Sequence, residues 1–212
     1  MADEPTTRSV KIGEDERTGW SSERPRRDSG PQRPPNIAVR CKVLTPSDHV
    51  RYSPGSMLVI VCPAPAERDR FTERMIPNKP SLLSLGKVRS LLAGRVSEED
   101  VESRASEVLD AAITKRLQAN ETVVVATEGT GADERERFAR MAAAAKRPRH
   151  LILLEVARAD VADDDRASLN ELRRRLDAGE LGAEGFQTAM RLGGQSVSEL
   201  KRIVFEYPPR DD

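Results

Sequence analysis

Between residues 57 and 62 the chain reads MLVIVC, six apolar positions without a polar break. A strand with one wet face alternates, so an unbroken run of this length predicts a strand covered on both faces. ETVVVAT (121–127) and HLILLEV (150–156) repeat the pattern. SLLSL (81–85) is a weaker strand, and LKRIVFEY (200–207) is a closing one that Pro208 and Pro209 end. Earlier, IAVRCKVL (37–44) alternates, with Ile37, Val39, Cys41 and Val43 on one side. That is the pattern of an extra half-buried strand at a sheet edge.

Helical patterns fill the gaps. Residues 67–75 and KVRSLLAG (87–94) read as short helices. Ser97, followed by Glu98, Glu99 and Asp100, reads as a helix start. Val101, Ala105, Val108, Leu109, Ala112, Ile113 and Leu117 then form one apolar stripe at helical spacing. An alanine-rich helix is predicted over 133–146, stopped by Pro148, and two more over 165–177 and 183–192. Five apolar strands alternating with helices predict an α/β domain over 37–212, with a mostly parallel five-stranded sheet and helices on both faces. Residues 1–36 are polar and proline-rich, with seven basic and seven acidic side chains. Such a segment buries too little apolar area to offset its ordering entropy, which predicts a disordered tail.

Composition narrows the function classes. The 35 basic and 35 acidic residues cancel, so no global attraction to nucleic acid or to an anionic membrane is expected. Aromatics are 3% of the chain, too few for base-stacking platforms. No apolar run approaches the roughly 18 residues of a membrane span, and the N-terminal stretch lacks the apolar core of a signal peptide. Cys41 and Cys62 make neither a disulfide framework nor a zinc set. His49 and His150 have no metal-ligand spacing, and His150, at the start of a strand, reads as structural. A soluble cytoplasmic protein with reduced thiols is the expectation.

The candidate chemistry lies after the first buried strand, in VIVCPAPAERDRF (59–71). A strand that turns at once into a helix is a common place to hold a phosphate. Together with SLGKVRSLLAG (84–94), ETVVVATEGTGADERERFARMA (121–142), RRRLDAGELGAEGFQTAMRL (173–192) and SELKRIVFE (198–206), this order resembles the P-loop kinases. The similarity is to their polynucleotide-kinase-like and zeta-toxin-like branch, over roughly 57–207. The resemblance implies a phosphate loop after the first strand, an acidic base after the second, an acidic residue after the third, and an arginine-bearing lid. It is also the only basis for expecting nucleic acid as a ligand.

The residues at those places depart from the pattern. The loop aligns as Pro63-Ala64-Pro65-Ala66-Glu67-Arg68-Asp69-Arg70, one residue shorter than the family's and without glycine. Pro63 and Pro65 have no N–H to donate, and Glu67 places an anion where an anion would bind. At about 4 Å that repulsion is on the order of 4 kcal/mol per charge pair at an effective dielectric near 20. The resemblance puts Arg68 at the lysine position and Asp69 at the metal-binding hydroxyl position. Gly86 and Lys87 fall where the base would be, and Ala126 where the third-strand acid would be, with Glu128 two residues on as a shifted substitute. Gly129-Thr130-Gly131 precedes a helix whose first turn already holds Asp133 and Glu134, so capping is its expected role. Arg173, Arg174 and Arg175 occupy the lid stretch and spread over about 200° of a helix, next to Glu171 and Asp177.

Three functions follow. The first is a catalytically inactive kinase-like protein acting as a binding, regulatory or assembly module, with no resident cofactor and a protein as its partner. The second is an atypical Mg-ATP-dependent kinase of a nucleoside, a nucleic acid end or another small hydroxyl compound. It would have a degenerate nucleotide site made of Arg68, Asp69, Arg70, Glu128, Arg174 and Arg175. The third is a structural assembly component that contacts its partners through residues 1–36. In the first and third readings no residue is catalytic and no metal is held.

Overall fold

The computed structural model describes residues 41–47 and 49–207; the tail predicted over 1–36 lies outside them. The run at 57–62 forms β3 (Met57–Val61), with every residue buried. Its side chains divide between two cores: Met57, Val59 and Val61 in one, Leu58, Ile60 and Cys62 in the other. An apolar residue at every position is what a strand with two covered faces requires.

β3 lies between β5 (Val123–Ala126) and β6 (Arg149–Leu154). β4 (Leu82–Ser84) flanks β5, β7 (Thr188–Leu192) flanks β6, and β1 (Lys42–Leu44) closes the edge beside β7. The six strands run in the order β1-β7-β6-β3-β5-β4, and every neighbouring pair is parallel.

Four helices cover one face: α2 (Leu85–Leu92), α3 (Glu98–Gln118), α4 (Ala132–Ala144) and α5 (Asp165–Asp177). Of the stripe predicted on α3, Ala105, Leu109, Ile113 and Leu117 are buried and Val108 is exposed. On the other face, α1 (Pro65–Met75) inserts Phe71 and Met75, each contributing about 1.5–3 kcal/mol by burial. Beside it lies a two-stranded parallel ribbon, β2 (His49–Tyr52) with β8 (Arg202–Phe205). A short helix, α6 (Gln195–Glu199), precedes β8.

The α/β class and the parallel sheet agree with the sequence, but the sheet has six strands and its membership differs. Of the edge strand predicted over 37–44, residues 37–40 lie outside the described residues and Lys42–Leu44 forms β1, with Cys41 buried but Val43 exposed rather than on the same covered side. The closing strand, predicted at 200–207, leaves the main sheet and pairs with β2 in the ribbon. Its place is taken by β7, in a stretch predicted as helix (183–192). Phe186, Ala189, Met190 and Leu192 have spacings that either period fits. Gly179 at φ 69° and Gly185 at φ 105° interrupt any helix there, and Ala189 and Met190 then face opposite cores as in a strand.

Gly55 is required both by its backbone angle and by close approach. Gly55, in the turn from β2 to β3, has φ 72°, and a Cβ would lie 2.9 Å from the Asn120 carbonyl oxygen.

Candidate functional site

β3 and β5 are neighbours, yet β3 runs into α1 on one face and β5 into α4 on the other. Where successive connections leave on opposite sides, a crevice opens at the carboxyl ends of the strands, the usual ligand position in such sheets. A cleft of about 270 Å³ lies here, lined by Arg68, Asp69 and Thr72 of α1, Ser84 and Lys87 at the start of α2, and Ala126 at the end of β5. Ser84 caps α2 by accepting the Lys87 N–H at 3.3 Å.

The β3–α1 connection is short. Ala64 precedes the helix in an extended conformation (φ −113°, ψ 104°) without a side-chain cap, and Pro65 is the first helical residue. Proline suits that position because its φ is preset and its missing N–H costs nothing there. The Cys62 thiol donates to the Ala64 carbonyl at 3.3 Å. Among the described residues only Asn120 and Lys146 are non-glycines with positive φ, so no residue of this connection takes the left-handed angles that let a loop curl its N–H groups around an anion.

Arg68 is buried. Its Nη1 donates to the Thr127 carbonyl and its Nε to Asp69 Oδ1 at 3.0 Å. Thr127 in turn donates its N–H to the Ile60 carbonyl at 3.0 Å. The guanidinium therefore ties the first turn of α1 to the end of β5. Arg70 is exposed and pairs with Glu67 at 2.8 Å, a contact worth about 0–1 kcal/mol.

Glu128 pairs with Arg89 of α2, which also grips Glu102 with two hydrogen bonds of 2.6 and 2.7 Å. Hydrogen bonds first to Glu102 and then to Glu128 raise the Arg89 pKa, and the bond from Arg89 lowers that of Glu102. The Glu128 N–H donates to Glu134 Oε2 at 3.1 Å, and burial raises the Glu134 pKa.

Arg173, Arg174 and Arg175 on α5 are each matched to an acid. Arg173 grips Glu155, which also accepts from Arg191 at 2.6 Å. Arg174 meets Glu171 at 2.8 Å and Glu180 at 3.1 Å. Arg175 meets Glu184 at 2.7 Å. Of the six candidate residues, the cleft brings together Arg68 and Asp69; Arg70, Glu128, Arg174 and Arg175 are not part of its lining.

A buried ion pair was not anticipated from the sequence. Arg135 and Glu184 form a buried two-bond pair at 2.9 and 3.0 Å, with side chains 2% and 0% exposed. Arg135 Nη1 also donates to the carbonyls of Thr130 and Gly131. Thr130 is buried and its hydroxyl donates to Asp165 Oδ1 at 3.1 Å. The Gly129–Gly131 loop thus turns carbonyls onto a cation and is pinned to α5. The signal was present: Arg135, Phe138, Ala139 and Ala142 share one helical stripe, all buried. An arginine on an apolar stripe calls for a buried partner.

Among the described residues no cluster of three or more His, Cys, Asp or Glu could hold a metal, and no helix is long and apolar enough to cross a membrane. Cys41 and Cys62 are free and buried. Burial, and then the Glu184 charge, push the Cys41 thiol up to about 11.

The chain is thus an α/β protein with a parallel sheet covered on both faces and a cleft at its topological switch. No protein-family model matches it, and no curated protein does. Among solved structures it is similar to a candidate kinase of Chloroflexus aurantiacus, at 13% identity and a TM-score of 0.44, over 66% of this chain and 86% of the other. It is also similar to the tunicamycin resistance protein of Deinococcus radiodurans, at 14% identity and a TM-score of 0.37, over 68% and 91%. Similarity at this level leaves the chemistry to be read from the chain's own residues.

Proposed function

We propose that the chain is a kinase-like scaffold that does not transfer phosphate and serves as a binding, regulatory or assembly module with a protein partner. One observation carries this reading: the residue at the phosphate-binding lysine position, Arg68, is committed to the Thr127 carbonyl and to Asp69. Phosphoryl transfer depends almost wholly on positioned charge. Pro63 and Pro65 withhold two N–H groups from the connection, Glu67 adds an anion, and the lid arginines already have carboxylate partners. These residues do not fit a magnesium-bound triphosphate.

A second reading, an atypical kinase, is favoured by the cleft itself, which has an ordinary ligand position and a cation, Lys87, at its rim. Titration calorimetry with millimolar Mg-ATP tests the nucleotide site. The inactive scaffold gives no saturable heat; saturable binding with a Kd below about 1 mM, abolished in Lys87→Ala and accompanied by ATP turnover, favours the second reading instead.

A further inference from the structure

We propose that the stacked pair His150–Tyr52 is an acid-operated latch, holding the β2–β8 ribbon on the six-stranded sheet when neutral and releasing it when His150 takes a proton. His150 lies on β6, paired in register with Leu58 of β3 and Thr188 of β7. Its ring stacks on Tyr52 of β2, with centroids 4.3 Å apart and planes 23° from parallel. Tyr52 in turn packs on Phe205 of β8 at 5.9 Å. The stack is thus a direct side-chain bridge from the sheet to the ribbon, and both of its rings are buried.

Its polar atoms are incompletely satisfied. His150 Nδ1 lies 2.8 Å from Thr188 Oγ1. His150 Nε2 and the Tyr52 hydroxyl are both buried without a hydrogen-bond partner. Orphaned buried polar atoms are uncommon, and two in one stack mark a place held together by packing alone. In the neutral ring an unpaired nitrogen is tolerable. In the imidazolium both nitrogens are donors, so Nε2–H would be a buried charged donor with no acceptor.

The surrounding groups offer that charge little. β3 presents Leu58 and β7 the Thr188 hydroxyl. β2 presents the Tyr52 ring, and β8 adds Phe205 behind it. Among the described residues the charge felt at the ring is Arg149 on its own strand, which repels a second cation. The face of Tyr52 attracts a stacked cation only weakly, too little to reverse the direction. Burial, and then Arg149, push the imidazole pKa down to about 4.

The sign follows from linkage. The closed state takes its proton near the lowered value, whereas a released His150 takes it near its ordinary 6.5. The closed state is therefore fully favoured above about pH 6.5 and is progressively lost as pH falls toward 4. At pH 5 the opening equilibrium rises about twentyfold over its value at neutral pH. Opening uncovers an apolar strip of Leu58, Ile60, Ile152 and Met190 on the sheet.

Native-state hydrogen exchange at pH 7 and pH 5, corrected for intrinsic rates, tests the latch on the full chain. Amides of Val50 and Ile203 are expected to lose about twentyfold in protection while those of β3 and β5 hold. His150→Gln, which cannot charge, abolishes the loss. His49→Gln, on the same strand of the ribbon but exposed, retains it. Should His150→Gln fail to fold, an NMR titration of the wild-type imidazole decides: a midpoint more than one pH unit below 6.5 supports the latch. Equal protection at the two pH values, an unchanged loss in His150→Gln, or a His150 midpoint near 6.5 in the folded protein overturns it.

Discussion

Glu184→Gln is the most informative single change in this molecule. The substitution keeps the shape of the side chain and removes its charge. In the wild type, Glu184 receives two hydrogen bonds from Arg135 and forms an ion pair with Arg175. At 2.9 Å one such charge pair is worth about 6 kcal/mol at an effective dielectric near 20, before desolvation is subtracted. Desolvation of Arg135 is already spent by the packing around it, and the variant leaves that guanidinium buried without its counter-ion. Breaking a buried pair from one side costs about 3–5 kcal/mol. With a urea m-value of roughly 2 kcal/mol/M for a domain of this size, the midpoint falls by about 1.5–2.5 M at unchanged m.

Arg135→Met supplies the other arm of a double-mutant cycle. It leaves Glu184 with Arg175 but releases the carbonyls of Thr130 and Gly131. The double variant should be more stable than the sum of the single losses predicts, by at least about 1.5 kcal/mol, because the two changes remove one interaction. A Glu184→Gln loss below about 1 kcal/mol, or strict additivity in the cycle, would refute the reasoning. Either result would mean that the pair is hydrated rather than buried.

Three further outcomes follow from other contacts. Gly193→Ala places a Cβ 2.7 Å from that of Glu155, so it should cost about 1–3 kcal/mol and lower the melting temperature by several degrees in calorimetry. Burial alone would raise the Glu155 carboxyl, but hydrogen bonds from Arg173 and Arg191 outweigh it and hold its pKa below the ordinary value. That contribution is present above the unfolded carboxylate pKa and is lost as pH falls through the lower folded value; an acid titration should therefore show Glu155→Gln losing less stability between pH 5 and pH 3 than wild type. Arg68→Ala removes a charged donor from the Thr127 carbonyl and should cost about 1.5–3 kcal/mol in denaturant unfolding.

The central strands were legible because burial on both faces leaves an unbroken apolar run, as in β3, β5 and β6. β7 was not, because Arg191 interrupts Thr188–Leu192 and makes its short apolar pattern fit either period. β2 was missed for a related reason: HVRY shows two inward residues, Val50 and Tyr52, too few to establish alternation. The destination of the last strand was also hidden, since a sequence pattern marks a strand without naming its neighbour.

At the site, the order of residues in the β3–α1 connection placed Arg68 and Asp69 at the cleft. Where the Arg68 guanidinium points could not be read, because its acceptor is the carbonyl of Thr127, beyond a distant strand. The pairing of Arg174 with Glu171 was visible as a three-residue helical spacing. That of Arg175 with Glu184 depends on how the chain folds back after α5.

The central claim, a kinase-like scaffold without a nucleotide site, is tested most directly by the melting temperature with and without millimolar Mg-ATP. A ligand at 100 times its Kd stabilises by about 2.7 kcal/mol, which for a domain of this size is a rise of about 5–10 °C. The inactive scaffold shows no magnesium-dependent rise. A rise of several degrees that needs magnesium and disappears in Arg68→Ala would contradict it.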